Sequence, residues 1–141
     1  MRVTLLEILG ATGGGLVGGT LVGNVFSNFH TDSREVVEGG VFFALKGGKM
    51  DGHEFVPDAI RRGAAVVIVE RKMESAPGVG QVLVADTWRA LYALATFARD
   101  RVRPLVVAIT GSNGKTSTKE MVAAVLGGRY NVLRTSGNLN T

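Results

Sequence analysis

The sequence contains no cysteine, which excludes a disulfide framework and a thiolate metal site. It has only two histidines. His30 and His53 lack metal-ligand spacing, so they give no ground for a zinc centre. No apolar run approaches the ~20 residues that span a bilayer. Glu7 interrupts the short apolar stretch at the amino terminus, which argues against a secretory leader. Basic residues such as Arg61, Arg62, Arg71, Lys72, Arg99, Arg101, Arg103, Arg129 and Arg134 are scattered. None forms a dense run with interleaved aromatics, so a nucleic-acid surface has weak support. Proline is scarce, with three residues in 141. What remains is 45% hydrophobic and 20% charged, a balance of ordered chains, sized for one ordinary domain or two small ones. A soluble cytoplasmic protein is the expectation. The net charge of +4 suits anionic small molecules such as nucleotides, although solvated surface charge explains most of these residues equally well.

One stretch organises the rest: Ala108-Ile109-Thr110-Gly111-Ser112-Asn113-Gly114-Lys115-Thr116-Ser117-Thr118. The apolar run Leu105-Val106-Val107-Ala108-Ile109 leads in, and a helix-like run from Lys119 to Leu126 leads out. Strand, glycine turn, Gly-Lys-Thr and helix make up a phosphate-binding loop. Glycines let the backbone curl so that several N–H groups face one anion, and the helix start adds partial positive charge. Lys115 is positioned in sequence to reach terminal phosphates, and the Thr116 hydroxyl to ligate Mg²⁺. The usual first glycine would fall at Ile109, so the pattern here is Thr-Gly-x-x-Gly-Lys-Thr. A glycine-rich turn with a solvated lysine is the plain alternative; the strand-like and helix-like flanks argue against it.

Upstream, Thr4-Leu5-Leu6-Glu7 has capping-box spacing, predicting a short helix ended by Gly10 and the glycines at 13 to 15. Leu16-Val17 and Leu21-Val22 read as short strand pieces. Residues 25–30 read as one strand running into Thr31-Asp32-Ser33-Arg34. That tetrapeptide is equally a polar strand end or a turn with a helix cap. Residues 41–45 read as a strand buried on both faces. The loop that follows, Lys46-Gly47-Gly48-Lys49-Met50-Asp51-Gly52-His53, lies where α/β folds place ligands. A helix is predicted over 54–62 with Pro57 in its first turn, then strands over 65–69 and 81–84. Asp86-Thr87 caps a long helix to about Arg101, in which Trp88, Leu91, Tyr92, Ala95, Ala98 and Val102 form the apolar stripe. Trp88 and Tyr92 are expected in the core rather than as a stacking platform. Residues 101–104 read as a linker ended by Pro104. Residues 130–134 read as a strand beyond the phosphate loop's helix.

In order, Thr31-Asp32-Ser33-Arg34, Phe42-Phe43-Ala44-Leu45-Lys46-Gly47, Asp51-Gly52-His53-Glu54-Phe55, Gly63-Ala64-Ala65, the run from Ile109 to Lys115, Thr118-Lys119-Glu120-Met121 and Gly137-Asn138-Leu139-Asn140 resemble the Mur ligases of peptidoglycan synthesis. The resemblance runs from about residue 30 to the end. The Asp-Ser-Arg and Asp-Gly-His motifs also occur in the branch that adds the third amino acid. Gly-Ser-Asn-Gly-Lys, Thr-Lys-Glu-Met and Gly-Asn-Leu-Asn favour the branch that adds D-alanyl-D-alanine to UDP-N-acetylmuramoyl-tripeptide.

The resemblance implies an α/β fold: a small UDP-substrate-binding α/β domain over residues 1–103, then the first strand, phosphate loop, helix and strand of a central ATPase domain over 104–141. It places Thr31, Ser33, Lys46, Gly47, Asp51 and His53 around the UDP-muramoyl site. It gives the ATP phosphates to Gly111, Ser112, Asn113, Gly114, Lys115, Thr116 and Ser117, with Thr116 on Mg²⁺ and Lys115 as the catalytic group. It puts Asn138 and Asn140 on the substrate and Mg²⁺ side of the cleft. The implied reaction activates the peptide carboxylate as an acyl phosphate at the expense of ATP, and the amine of D-alanyl-D-alanine then attacks. The family's modified lysine, its central-domain glutamate and histidine, and its amine site have no counterpart among these residues. The isolated chain is therefore expected to be inactive. It is also expected to self-associate, because the apolar strands read at 105–109 and 130–134 lack neighbouring strands and covering helices. The alternatives are a stand-alone UDP-sugar-binding module, the branch that adds the third amino acid, and a different amide ligase or small nucleotide-binding regulator.

Overall fold

A computed structural model of the chain describes residues 2–18, 24–48, 50–74 and 76–135. The chain divides into two compact units, Met1–Arg103 and Pro104–Thr141.

The first unit is a three-layer α/β structure. Its elements are β1 (Val3–Thr4), α1 (Leu5–Thr12), β2 (Gly15–Gly18), β3 (Val25–Phe26), β4 (Phe29–His30), β5 (Val41–Phe43), α2 (Val56–Arg61), β6 (Val66–Val69), β7 (Gly80–Leu83) and α3 (Thr87–Val102). The main sheet has the order β2-β7-β6-β5-β4. Strands β4 to β7 run parallel, and β2 closes one edge antiparallel to β7. β1 and β3 form a separate antiparallel pair.

The short apolar runs explain the layers. Strand side chains alternate between faces. Val41, Phe43, Val66, Ile68 and Val82 pack with Val3, Leu5, Ile8, Ala90 and Leu94, from the α1 and α3 side. Phe42, Ala44, Val67 and Val69 pack with Val56, Ala59 and Val36 on the other. β5 and β6 are buried along their whole length, as expected of parallel strands covered on both faces.

Helix α1 starts as its sequence signals: Thr4 accepts from the Glu7 amide, and Glu7 returns the bond to the Thr4 N–H. It passes through Gly10 and ends at Gly13. The expected strand over 25–30 is broken, because Val25–Phe26 pairs with β1 while Phe29–His30 joins the main sheet. The helix predicted over 54–62 begins as a 3₁₀ turn, Gly52–Phe55, and becomes α-helical only at Val56. Leu16-Val17 lies in β2 as read, whereas Leu21-Val22 and Lys49 fall outside the described residues. The linker is shorter than expected, since α3 continues through Val102 and ends on Arg103 in a left-handed conformation, φ 46°. Pro104 disfavours the helical conformation for the residue before it.

The expected α3 stripe is out of phase. Its buried residues are Thr87, Ala90 and Leu94, while Trp88 and Tyr92 are 42% and 64% exposed. Ala90 and Leu94 pack on the core, with Leu91 and Phe97 partly buried beside them, so the face that carries the Trp88 and Tyr92 rings turns outward.

The second unit carries one described helix, α4 (Lys115–Gly127). The segments 105–109 and 130–134, expected as strands, have no ladder partner among the described residues. A strand is defined by the neighbour that takes its N–H and C=O groups, so apolar β-branched composition alone does not make one. Lys119 Nζ donates to the Thr135 carbonyl at 2.7 Å, and Glu120 pairs with Arg134. These bonds tie the segment after α4 to the helix.

Candidate functional site

Because β4 to β7 are parallel, their carboxyl ends lie along one sheet edge, where open α/β sheets bind ligands. Four segments follow those ends in turn. Thr31-Asp32-Ser33-Arg34 follows β4, the loop from Lys46 to His53 follows β5, Glu70-Arg71 follows β6, and Asp86-Thr87-Trp88 follows β7.

The loop after β5 is a closed turn. Lys46 bridges Asp51, the Gly47 N–H donates to Met50 O at 2.9 Å, and the Gly52 N–H to Leu45 O at 2.8 Å. Gly52 sits so close to the strand end that a Cβ there would lie 2.5 Å from the Leu45 backbone N and O. The glycine of Asp-Gly-His is thus required by close approach.

Asp51 then organises the turn. One carboxylate oxygen accepts from the His53 amide at 3.0 Å and from His53 Nδ1 at 2.6 Å, and the other accepts from Arg71 at 2.9 Å. The bond from the His53 amide, followed by those from the His53 ring and Arg71, holds the Asp51 carboxyl well below the usual carboxylate range. His53 is 1% exposed. Its Nε2 accepts from the Glu70 amide at 2.8 Å, so that nitrogen carries no hydrogen and Nδ1 is the donor to Asp51. Glu70 extends the chain by accepting from both the amide and the hydroxyl of Thr87, at 2.9 and 3.0 Å. Arg71, Asp51, His53, Glu70 and Thr87 thereby tie three strand ends together.

At the β4 end the geometry is that of a turn with a cap. Asp32 accepts from the Arg34 amide at 2.9 Å, and the Arg34 guanidinium grips both its oxygens, with the closest contact 2.6 Å. The Arg34 side chain and amide lower the Asp32 carboxyl to about 2. Ser33 is buried, and its hydrogen bond to Asp58 depresses that carboxyl. Thr31, Lys46 and Gly47 are exposed.

The sequence-predicted residues therefore separate by role. Thr31, Lys46 and Gly47 present groups to solvent, Asp51 is partly exposed, and Ser33 and His53 are held inside by protein partners. Sequence reasoning missed Glu70, Arg71 and Thr87. Glu70 and Arg71 follow a buried parallel strand just as Lys46 does, and that position is the signal that marks them.

In the second unit, Gly111 and Gly114 adopt φ of 150° and 77°, conformations that side chains rarely take. Gly114 caps α4, and the helix closes with the Thr118 amide donating to Gly114 O at 2.9 Å. Lys115 Nζ donates to Gly111 O at 2.5 Å, which holds the ammonium across the loop. Residues 111–117 are all exposed. An ammonium, a glycine-shaped backbone and a helix start fit a polyphosphate. Thr116 adds one hydroxyl beside them, and among the described residues no cluster of three or more acidic or histidine side chains could hold a metal. That donor set fits Mg²⁺ carried mainly by phosphate oxygens and water. Asn138 and Asn140 lie outside the described residues.

The family described as Mur ligase family, catalytic domain, matches residues 26–126. The UDP-N-acetylmuramoyl-tripeptide–D-alanyl-D-alanine ligase of Escherichia coli is 40% identical over 99% of this chain and 30% of its own length. The ligase of the same description from Synechocystis is 43% identical over 81% of this chain and 25% of its own. The chain thus spans a third or less of these curated relatives. Among solved structures, the D-alanyl-D-alanyl ligase of Acinetobacter baumannii superposes with a TM-score of 0.89 at 37% identity, covering 99% of this chain and 31% of that one. The MurF ligase of Thermotoga maritima in complex with ADP gives 0.68 at 40% identity over 80% of this chain and 26% of that one.

Proposed function

The chain belongs to the Mur ligase family, and from that premise we propose that it is the N-terminal part of an ATP-dependent ligase joining D-alanyl-D-alanine to UDP-N-acetylmuramoyl-tripeptide. Residues 1–103 would bind the UDP substrate, and residues 104–141 would open the ATPase domain. The observation that carries the reading is the loop at residues 111–115, with its two glycines and Lys115 at the start of α4. The names of the similar ligases support the choice of amine over the branch that adds the third amino acid.

In this reading the tripeptide carboxylate takes the terminal phosphoryl group of ATP, releasing ADP and forming an acyl phosphate. The amine attacks that carbonyl, phosphate leaves, and the amide forms as the nitrogen loses a proton. Lys115 stabilises negative charge on the transferring phosphoryl group. Mg²⁺, when bound beside Thr116, supplies neutralisation of phosphate charge. Thr31, Lys46 and Gly47 face the UDP-linked substrate. Asp51 and His53 keep their loop in shape, and Ser33 does the same for the turn after β4. Asn138 and Asn140 are assigned to the substrate and metal side of the cleft on the motif alone. No described helix is long and apolar enough to cross a membrane. A cytoplasmic location matches the nucleotide-linked substrate.

The 141-residue chain would bind without ligating, and the exposed apolar side chains of its second unit would bring copies together. Calorimetry of this chain with UDP-N-acetylmuramoyl-tripeptide, UDP and ATP tests the reading. Saturable binding of the UDP compounds, with weaker binding of ATP, is expected. Binding of UDP-sugars without any response to ATP would favour the stand-alone binding module. No binding of UDP compounds would overturn the assignment of the first unit.

A further inference from the structure

From its position we infer that Trp88 is a positioning residue for the Lys46–Asp51 turn, and through it for the UDP-substrate site; the second step rests on the function proposed above. Trp88 is the only tryptophan of the chain. Its indole N–H donates to the Lys46 carbonyl at 3.0 Å. The other end of the same peptide unit is also held, because the Gly47 N–H donates to Met50 O at 2.9 Å. A peptide is planar, so fixing both its carbonyl and its N–H fixes the orientation of the whole unit. Without the indole, that peptide is secured only from within its own turn.

The cost of placing Trp88 there points the same way. The ring is 42% exposed on a helix whose buried stripe, Thr87, Ala90 and Leu94, does not use it. Tyr92, one turn on, stacks beside it with ring centroids 6.1 Å apart and planes at 28°, steadying the indole plane. Thr87, the preceding residue, is pinned by Glu70, whose own amide is bonded to His53. Trp88 and His53 thus hold the turn from two sides, one through the Lys46 carbonyl and one through the Asp51 carboxylate.

Trp88→Phe keeps a ring and removes the donor. Loss of one neutral hydrogen bond is a modest effect, so calorimetry should show UDP binding the 141-residue chain roughly two- to tenfold more weakly. ATP binding, at the other loop, should be unchanged. Amide exchange without ligand tests the positioning itself. The Gly47 amide should exchange severalfold faster in the variant, while amides of β5 and β6 keep their protection. Unchanged Gly47 exchange overturns the inference whatever ligand the protein takes. Faster Gly47 exchange with undiminished UDP affinity confines Trp88 to the loop and overturns its role in binding. Failure of the parent chain to bind UDP overturns the function reading alone. If Trp88→Phe does not fold, wild-type emission decides the link to the site: no change in tryptophan fluorescence at UDP concentrations that calorimetry shows to be saturating counts against it.

Discussion

His53 Nε2 accepts the amide hydrogen of Glu70 across 2.8 Å, joining the turn after β5 to the end of β6. Since Nδ1 is committed to Asp51, the ring has no nitrogen left for a ligand. His53→Ala would remove a fully buried ring and leave the Glu70 amide and one Asp51 oxygen without that partner. A loss of about 2–4 kcal/mol is expected, measured by urea unfolding of the 141-residue chain. A change below about 0.5 kcal/mol would show that water replaces the ring at little cost.

Acid should loosen this turn and the one after β4. The Asp51 and Asp32 carboxyls are held below their usual range, Asp32 at about 2. A group with a depressed native pKa binds fewer protons folded than unfolded, so its contribution is complete above the unfolded value of about 4. The contribution is lost as pH falls through the native value. The urea midpoint of the first unit should therefore fall between about pH 4 and pH 2, and Asp51→Asn should flatten that acid limb. An acid limb equally steep in Asp51→Asn would place the responsible groups elsewhere.

Gly52→Ala should be costly without altering any charge. The added methyl would meet Leu45 backbone atoms at 2.5 Å, and backbone at a strand end cannot swing aside as a side chain can. Overpacking of this kind costs about 1–3 kcal/mol, read as a lower denaturation midpoint. Gly48→Ala, where an added methyl would meet nothing within 4 Å, serves as the control and should be close to neutral.

These residues show what the sequence could reveal. The buried strands were legible because Val41-Phe42-Phe43 and Val66-Val67-Ile68-Val69 are apolar at every position, and the α1 start because Thr4 and Glu7 have capping spacing. The glycines at 111 and 114 signalled the turn before α4, where both take positive φ. The split of residues 25–30 was not legible, since it depends on which strands lie alongside. The exposure of Trp88 and Tyr92 was hidden for a related reason. Apolar residues recur at helical spacing on two faces of α3, and only the close packing of Ala90 and Leu94 against the core decides which face turns inward. The partners of His53 come from the residue after β6 and from the turn after β5, brought together by the parallel sheet, so neither its spacing nor the resemblance that assigned it to the UDP-muramoyl site could reveal them.

On the function proposed above, Lys115→Ala in a ligase that carries this chain should separate the two units' roles. The ammonium lies across the loop on Gly111 O, in the second unit, whereas the turns after β4 and β5 belong to the first. Turnover should fall about 10²- to 10³-fold, the scale for removing one preorganised charge donor. Affinity for the UDP substrate should stay within about twofold. Parallel loss of both in kinetics and calorimetry would contradict the division.

The final prediction concerns the surface of the second unit. Leu105 and Leu133 are 90% and 100% exposed, and Val106, Val107, Met121 and Val125 are mostly so. α4 buries none of its residues. Segments without a ladder partner among the described residues can offer backbone N–H and C=O groups to a neighbouring chain, and adjoining apolar side chains add area to such contacts. A second copy of this chain carries the same segments and is present at equal concentration, so the 141-residue chain should sediment as a dimer or larger species. Leu105→Lys together with Val107→Lys should shift it toward monomer, because charge on an exposed edge opposes pairing. The first unit's urea midpoint should be unaffected. A parent chain that sediments as a monomer at all accessible concentrations would overturn the prediction.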